Sequence, residues 1–172
     1  PGTIINHNCE WSNYHFYTFP LLLPDLTYCD ATIYWCERCC NGKSEFFLQA
    51  LDLDMSCYTP HSTGVSLESK MIMDQVRLKL FHQVCDGSTG YIEPIPPCPD
   101  PTNSAIVTYL HKAQCYSQTV TTNTNGTSVM QFRACSNIIG CTNYYSVCFN
   151  GTNNIYTYIN TSYSAPCPNT NG

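Results

Sequence analysis

The sequence predicts a mostly β, disulfide-stapled protein built from antiparallel strands and hairpins. Three observations carry this prediction. Thirteen of the 172 residues are cysteines, close to the density of secreted disulfide scaffolds. Several segments alternate apolar and polar residues with the two-residue period of a strand. Asn-Gly and Asp-Gly pairs, which supply the positive φ angles of tight hairpins, punctuate the chain. We expect two tandem small β modules after a Cys-rich N-terminal region.

Four segments of the C-terminal half are typical of strands: AIVTYL, SVMQFRAC, TNYYSVCF and NIYTYI. Their β-branched and aromatic content favours a pleated, half-buried surface. The hairpin pairs are Asn41-Gly42, Asp86-Gly87, Asn125-Gly126 and Asn150-Gly151. Residues 66–84 fit a helical period only in part, and Met71 with Met73 and Val76 with Leu78 fit period two better. We therefore expect a strand there, while EFFLQALDLD before it stays ambiguous.

The domain organisation is predicted from a repeated pattern, C-Y … V-C-(x)-[D/N]-G … P-C-P. It begins at Cys57 in one copy and at Cys115 in the other, and ends at Pro99 and Pro168. The pattern indicates a duplication. It predicts a Cys-rich region at 1–56 packing on the first module, modules at 57–99 and 100–168, and a tail at 169–172. The linker is EPIPPCPDPTNS, whose five prolines favour an extended, stiff conformation.

The stretch YWCERCCNG, residues 34–42, allows three interpretations. Cys36 and Cys39 have the C-x2-C spacing of a zinc knuckle or a redox site. A second short-spaced ligand pair and H-x3–5-H spacing are missing, and no helix signal follows. Cys39 and Cys40 cannot easily bond each other across a trans peptide. We therefore interpret the stretch as a disulfide corner before a turn, with no metal and no cofactor.

The candidate disulfide cysteines are Cys36, Cys39, Cys40, Cys57, Cys85, Cys98, Cys115, Cys135, Cys141, Cys148 and Cys167. Because thirteen is odd, at least one cysteine lacks a partner within the chain. Cys9 and Cys40 are the candidates for an unpaired or inter-chain cysteine. Equivalence of the modules suggests the pairs Cys85–Cys98 and Cys148–Cys167. Cys135–Cys141 is plausible as a local clasp.

Composition limits the partners. Only 11% of residues are charged and the formal net charge is −5. The seven basic residues are scattered, so we expect no nucleic acid partner. The longest apolar run, FPLLLP, is far shorter than a transmembrane segment. A chain that starts at Pro1 without Met fits a processed mature form. Cysteine usage indicates an oxidising location: secreted, extracellular or at the cell surface.

Catalytic signals are weak, so we expect no enzyme. The sequence has no G-x-S-x-G, H-E-x-x-H or phosphate-binding glycine pattern. Asp52 and Asp54 would share a strand face, and His82 and His111 are expected to be ordinary strand residues. Exposed tyrosines are the better candidates for a binding face: Tyr144, Tyr145, Tyr156, Tyr158 and Tyr163. Sequons at Asn125, Asn150 and Asn160 are compatible with glycosylation.

One resemblance covers roughly residues 98–168. Tyr109, Lys112-Ala113-Gln114-Cys115-Tyr116, Cys135, Cys141, Tyr145-Ser146-Val147-Cys148 and Pro166-Cys167-Pro168 resemble the C-terminal module of small, uncharacterised Cys-rich secreted proteins of Gram-negative bacteria. The resemblance implies export and surface display. It implies no activity.

These observations favour a non-catalytic structural or assembly protein of the cell surface or of an extracellular fibre or complex. Its expected partners are other copies of itself or other surface proteins. The alternative is an adhesin or carbohydrate-binding module that uses the tyrosine faces, with glycans as partners. A secreted enzyme or inhibitor is the third possibility.

Overall fold

A computed structural model describes residues 9–23, 26–41, 43–54, 70–80, 83–85, 92–94, 97–98 and 106–163. In this part of the chain the fold is mostly β, which confirms the predicted class. The elements are β1 (His15–Leu22), β2 (Tyr28–Cys40), β3 (Lys43–Asp54), α1 (Lys70–Leu80), β4 (Gln83–Cys85), β5 (Ile92–Pro94), β6 (Ile106–Ala113), β7 (Tyr116–Thr122), β8 (Ser128–Ala134), β9 (Ile139–Phe149) and β10 (Asn154–Tyr163).

The main sheet forks at β3. Its path runs β1-β2-β3-β6-β9-β10, while β8 lies beside the other half of β3 and carries β7. Residues 44–48 pair in parallel with β6, and residues 50–54 pair antiparallel with β8. All other neighbours in this sheet are antiparallel. A bulge at Gln49, opposite the Tyr34–Trp35 bond, separates the two halves of β3.

Three of the predicted turn pairs lie at hairpins. Asn41 has φ +51° between β2 and β3, Gly126 has φ +83° between β7 and β8, and Gly151 has φ +93° between β9 and β10. These positive φ values favour Gly and Asn over other residues. In the last turn, Asn150 Oδ1 accepts hydrogen bonds from the backbone N–H groups of Thr152 and Asn153. The pair Asp86-Gly87 lies outside the described residues.

The expectation of a strand within residues 66–84 is wrong, because α1 occupies residues 70–80. The buried positions are Ile72, Met73, Val76 and Leu80, a spacing of one, three and four residues that forms one helical stripe. Leu78, which completed the apparent period-two pattern, is 46% exposed. The ambiguous EFFLQALDLD lies in β3.

The core lies between α1 and one face of the sheet, here called the inner face. The four buried residues of α1 pack in one cluster with residues of the strands. Gln75 fixes the helix to the end of β1, because its Oε1 accepts from the N–H of Leu22 and its Nε2 donates to the Leu22 carbonyl. Buried aliphatic side chains in this cluster include Leu21, Ile33, Leu48, Leu51, Leu110 and Val147. The opposite, outer face carries the polar features described below.

The sheet crosses the predicted domain boundaries. Strands β1–β3 belong to the predicted N-terminal region and β6–β10 to the second module, yet all lie in one sheet. The described elements of the first module are α1 and the small β4–β5 pair, whereas the second module is made of strands. No helix in the described residues is long and apolar enough to span a membrane.

Candidate functional site

The cysteine pairing departs from the sequence prediction. Cys9 and Cys40, the candidates for unpaired cysteines, bond each other. That expectation is wrong because residues 9–14 continue the path of β1 alongside the end of β2, where Ser12 hydrogen-bonds Glu37. Cys98 bonds Cys148, so the pairs Cys85–Cys98 and Cys148–Cys167 are wrong. Pro97 forms a bridge with Phe149, next to Cys148, which brings residue 98 to β9 rather than to β4.

The stretch YWCERCCNG ends β2. Besides Cys40, Cys39 is also disulfide-bonded. Cys36 is a buried thiol, and burial followed by the nearby Glu37 carboxylate raises its pKa. In the part of the chain that the structure describes, no group of three His, Cys, Asp or Glu side chains is arranged to hold a metal.

The predicted clasp Cys135–Cys141 is also wrong. Cys141 is buried in β9 and disulfide-bonded, whereas Cys135 is exposed and free. Cys135 lies beside Cys115 at the open end of the β7–β8 hairpin, where its N–H donates to the Cys115 carbonyl over 3.0 Å. Cys115 also carries a free thiol. The two side chains face each other, and the hydrogen bond with the Cys115 thiol is the main cause that raises the Cys135 pKa.

Among the free thiols that the structure describes, we expect iodoacetamide to alkylate Cys135 first in the native protein and Cys36 only after unfolding. Because the Cys135 pKa lies above its ordinary value of 9.0, its rate should rise about tenfold per pH unit up to and beyond pH 9. Peptide mass mapping of timed samples measures both rates. Labelling in denaturant is the control, and equal native rates for Cys36 and Cys135 would contradict the burial difference.

Cys57 and Cys167 lie outside the described residues, as do the side chains of Cys85 and Tyr163. The remaining predicted tyrosines do not form one exposed row. Tyr145 is buried in the core, and Tyr156 packs against that core, where burial raises its pKa to about 12. Tyr158 is 55% exposed, with its ring centroid 5.9 Å from that of Tyr145. Tyr144 lies on the other face, with its ring 4.6 Å from that of Tyr109.

Residues 9–14 form a strap across the outer face. The disulfide between Cys9 and Cys40 anchors one end. In its middle, Ser12 exchanges two hydrogen bonds with Glu37: the Ser12 N–H donates to the Glu37 carbonyl (2.9 Å), and the Glu37 N–H donates to Ser12 Oγ (3.0 Å). Trp11 covers the Arg38 guanidinium at 4.2 Å from the ring centroid.

A chain of buried polar side chains lies under the strap, on three neighbouring strands. Arg38 of β2 donates from Nε to Glu45 Oε2 of β3 over 2.6 Å. His111 Nε2 of β6 lies 3.1 Å from the same oxygen, and its Nδ1 lies 2.7 Å from Thr142 Oγ1 of β9. An ionised carboxylate only accepts, so Nε2 carries a proton toward Glu45. Strand register places Arg38 opposite Glu45 and His111 opposite Thr142. His111 lies two positions along β6 from Tyr109, the register partner of Glu45.

This Arg38–Glu45–His111–Thr142 chain has the connectivity of a hydroxyl–imidazole–carboxylate relay. Glu45, His111 and Thr142 are only 7%, 6% and 7% exposed, so substrate does not reach the hydroxyl. Burial tends to raise the Glu45 pKa, but the hydrogen bonds from His111 and Arg38 outweigh it and the net pKa is lowered. The chain therefore joins strands as a satisfied buried network. Sequence reasoning missed it because its members are far apart in the chain.

A pocket of about 320 Å³ lies beside the strap on the outer face. Its walls come from the end of the strap and from β2, β3 and β8: Tyr14, Tyr34, Gln49, Ala50, Arg133 and Ala134. Asp52, predicted to share a strand face with Asp54, accepts hydrogen bonds from both terminal guanidinium nitrogens of Arg133. The Arg133 guanidinium lies 5.2 Å from the centroid of the Tyr34 ring.

The edge strand β10 carries no charged residue. Among the described strands β10 pairs only with β9, so within the described residues no strand lies along its other edge. Its ten residues, NIYTYINTSY, contain no charged residue and no proline. Ile155 and Ile159 are 41% and 48% exposed. Asn160, a predicted glycosylation site, is exposed on this strand, and Asn125 and Asn150 are exposed in hairpin turns.

Comparison with known proteins gives no relative for this chain. No protein-family model matches it, and no curated protein or solved structure is significantly similar.

Proposed function

We propose that the chain is a non-catalytic structural or assembly protein of an oxidising, extracytoplasmic compartment, and that it associates with other copies of itself through β10. The observation that carries this proposal is the uncharged outer edge of β10. An edge strand presents backbone N–H and C=O groups that template pairing with another chain. Proteins that stay monomeric protect such edges with lysine, proline or β-bulges. β10 has one register shift, between Tyr158 and Asn160, but neither lysine nor proline.

The composition of β10 supports pairing between copies. Two β10 strands related by a two-fold axis would pair antiparallel and bury Ile155 and Ile159 side chains at the joint. The absence of charge on this strand means that no like charges meet across the pair. With a formal net charge of only −5 over 172 residues, repulsion between copies is weak.

Cross-linking supports the location and the structural role. Cys9–Cys40 and Cys98–Cys148 close loops between distant parts of the chain, and such bonds persist in oxidising compartments. The buried Arg38–Glu45–His111–Thr142 chain adds rigidity across β2, β3, β6 and β9 without an accessible reacting group. The tyrosine-face alternative has less support, since Tyr145 and Tyr156 lie against the core.

We expect Thr157→Lys to weaken self-association about tenfold, because each two-fold joint would then bring two lysines to one edge. Thr157 is exposed in β10. Thr124→Lys is the matched control, since Thr124 is exposed in the β7–β8 turn and the change in net charge is the same. Sedimentation velocity over a dilution series measures both. A wild-type protein that stays monomeric throughout, or equal weakening by both variants, would refute the β10 joint.

A further inference from the structure

We propose that the outer-face pocket beside the strap binds a neutral saccharide of about one or two sugar rings. This proposal is independent of the β10 joint. The site uses none of the predicted tyrosine candidates. It rests on the shape of the pocket, on the polar groups at its floor and on the exposed ring at its wall.

The pocket has the size and construction of a small-ligand site. Its volume of about 320 Å³ lies at the lower end of the range for such sites, about 300–1,000 Å³. It forms where the sheet forks, because β3 leaves β6 and turns to β8 at the Gln49 bulge. A bulge re-aims a side chain relative to the strand, and here Gln49 lines the pocket.

The floor offers hydrogen-bonding groups without net charge. Arg133 and Asp52 neutralise each other through paired hydrogen bonds, and the Tyr34 hydroxyl hydrogen-bonds Asp52. Guanidinium keeps further N–H donors beyond the two in this pair. Gln49 adds an amide that both donates and accepts. Hydroxyl groups of a sugar match this mixture, whereas a phosphate or carboxylate would meet a guanidinium that is already paired.

The wall supplies an apolar platform. Tyr14 is 66% exposed, yet its backbone is held in place by the strap, through Ser12 and the Cys9–Cys40 disulfide. The C–H face of a pyranose is apolar and weakly positive, so it stacks on the electron-rich face of an aromatic ring. A pre-positioned tyrosine contributes such a surface at small entropic cost.

The test is a titration of the oxidised full chain with methyl glucoside, methyl galactoside, maltose, cellobiose, lactose and N,N′-diacetylchitobiose, read by saturation-transfer NMR and calorimetry. We expect at least one of these sugars to bind. Tyr14→Ala should weaken its affinity about tenfold, and Gln49→Ala should weaken it as well. Tyr28→Ala is the matched control, because Tyr28 is 64% exposed and does not line the pocket. Its affinity should equal that of the wild type.

Two results would overturn the proposal. One is that none of the six sugars binds at millimolar concentration. The other is binding that Tyr14→Ala and Gln49→Ala leave unchanged. The proposed pairing through β10 is tested independently of sugar binding. Thr157→Lys should leave sugar binding unchanged, and Tyr14→Ala should leave the sedimentation behaviour unchanged.

Discussion

Replacing Cys98 and Cys148 together by serine is expected to lower the free energy of unfolding by about 4 kcal/mol. The two cysteines are 50 residues apart, and the entropy of closing a loop of that length in the unfolded chain gives this magnitude. The bond also ties the segment before β6 to the end of β9, where Cys98 N–H donates to the Phe149 carbonyl over 2.7 Å. Denaturant unfolding followed by circular dichroism measures the difference.

The reduced proteins provide the control for this experiment. In excess reductant the wild type and the double-serine variant both lack the cross-link, so their unfolding curves should nearly coincide. Equal stabilities of the two proteins in the oxidised state would show that the Cys98–Cys148 bond does not constrain the unfolded chain.

Glu45→Gln is expected to destabilise the protein by about 2 kcal/mol at pH 7. The carboxylate accepts from Arg38 Nε over 2.6 Å and pairs with His111 Nε2 at 3.1 Å. A neutral amide in its place leaves the guanidinium, whose side chain is 22% exposed, without its charge partner. Urea unfolding at fixed temperature measures the loss.

The same substitution should make stability less sensitive to acid. The pKa of Glu45 in the folded protein lies below its ordinary value of 4.5, so the unfolded state takes up the proton first. Its stabilising contribution is therefore complete above about pH 4.5 and is lost as the pH falls through the folded pKa. The difference in unfolding free energy between the wild type and Glu45→Gln should therefore shrink as the pH falls from about 4.5 through the folded pKa of Glu45.

Asp30→Asn is the control for both effects. Asp30 is an exposed carboxylate in β2, and its substitution should change stability by less than about 0.5 kcal/mol. A constant difference in unfolding free energy between the wild type and Glu45→Gln from pH 7 down to pH 2 would mean that the pKa of Glu45 is the same in the folded and the unfolded protein.

Local sequence patterns predicted the strands of the C-terminal half well. SVMQFRAC alternates because Met130 and Phe132 pack on the core and their neighbours do not. In NIYTYI, Tyr156 packs against the core, whereas Ile155, Tyr158 and Ile159 are exposed. Asn125-Gly126 and Asn150-Gly151 lie at hairpins because their backbone angles are themselves a local property of the residues.

The helix and the disulfides could not be predicted in the same way. In α1 the apolar residues Met71 and Leu78 lie outside the buried stripe, so they obscured the helical period. Partners of cysteines depend on which strands become neighbours. Cys9 reaches Cys40 because the strap continues alongside the end of β2 beyond β1, and no local pattern indicates that path.

The candidate site was hidden from the sequence for a related reason. Tyr14, Tyr34 and Arg133 have no common motif, and they meet because β8 pairs with the second half of β3. Likewise, Glu45, His111 and Thr142 look like ordinary strand residues in the sequence. They come within hydrogen-bonding distance only because β6 pairs with both β3 and β9.

The parallel pairing of β3 with β6 also bears on the order in which the molecule can fold during synthesis. Strands β1, β2 and β3 connect by short turns and can form as soon as they emerge. The partner of residues 44–48 begins at Ile106, roughly fifty residues after β3 ends. At about 5–20 residues per second, the Phe46–Leu48 edge waits for roughly 3–10 s. During that interval this edge is open to capture by a chaperone or by another unfinished copy.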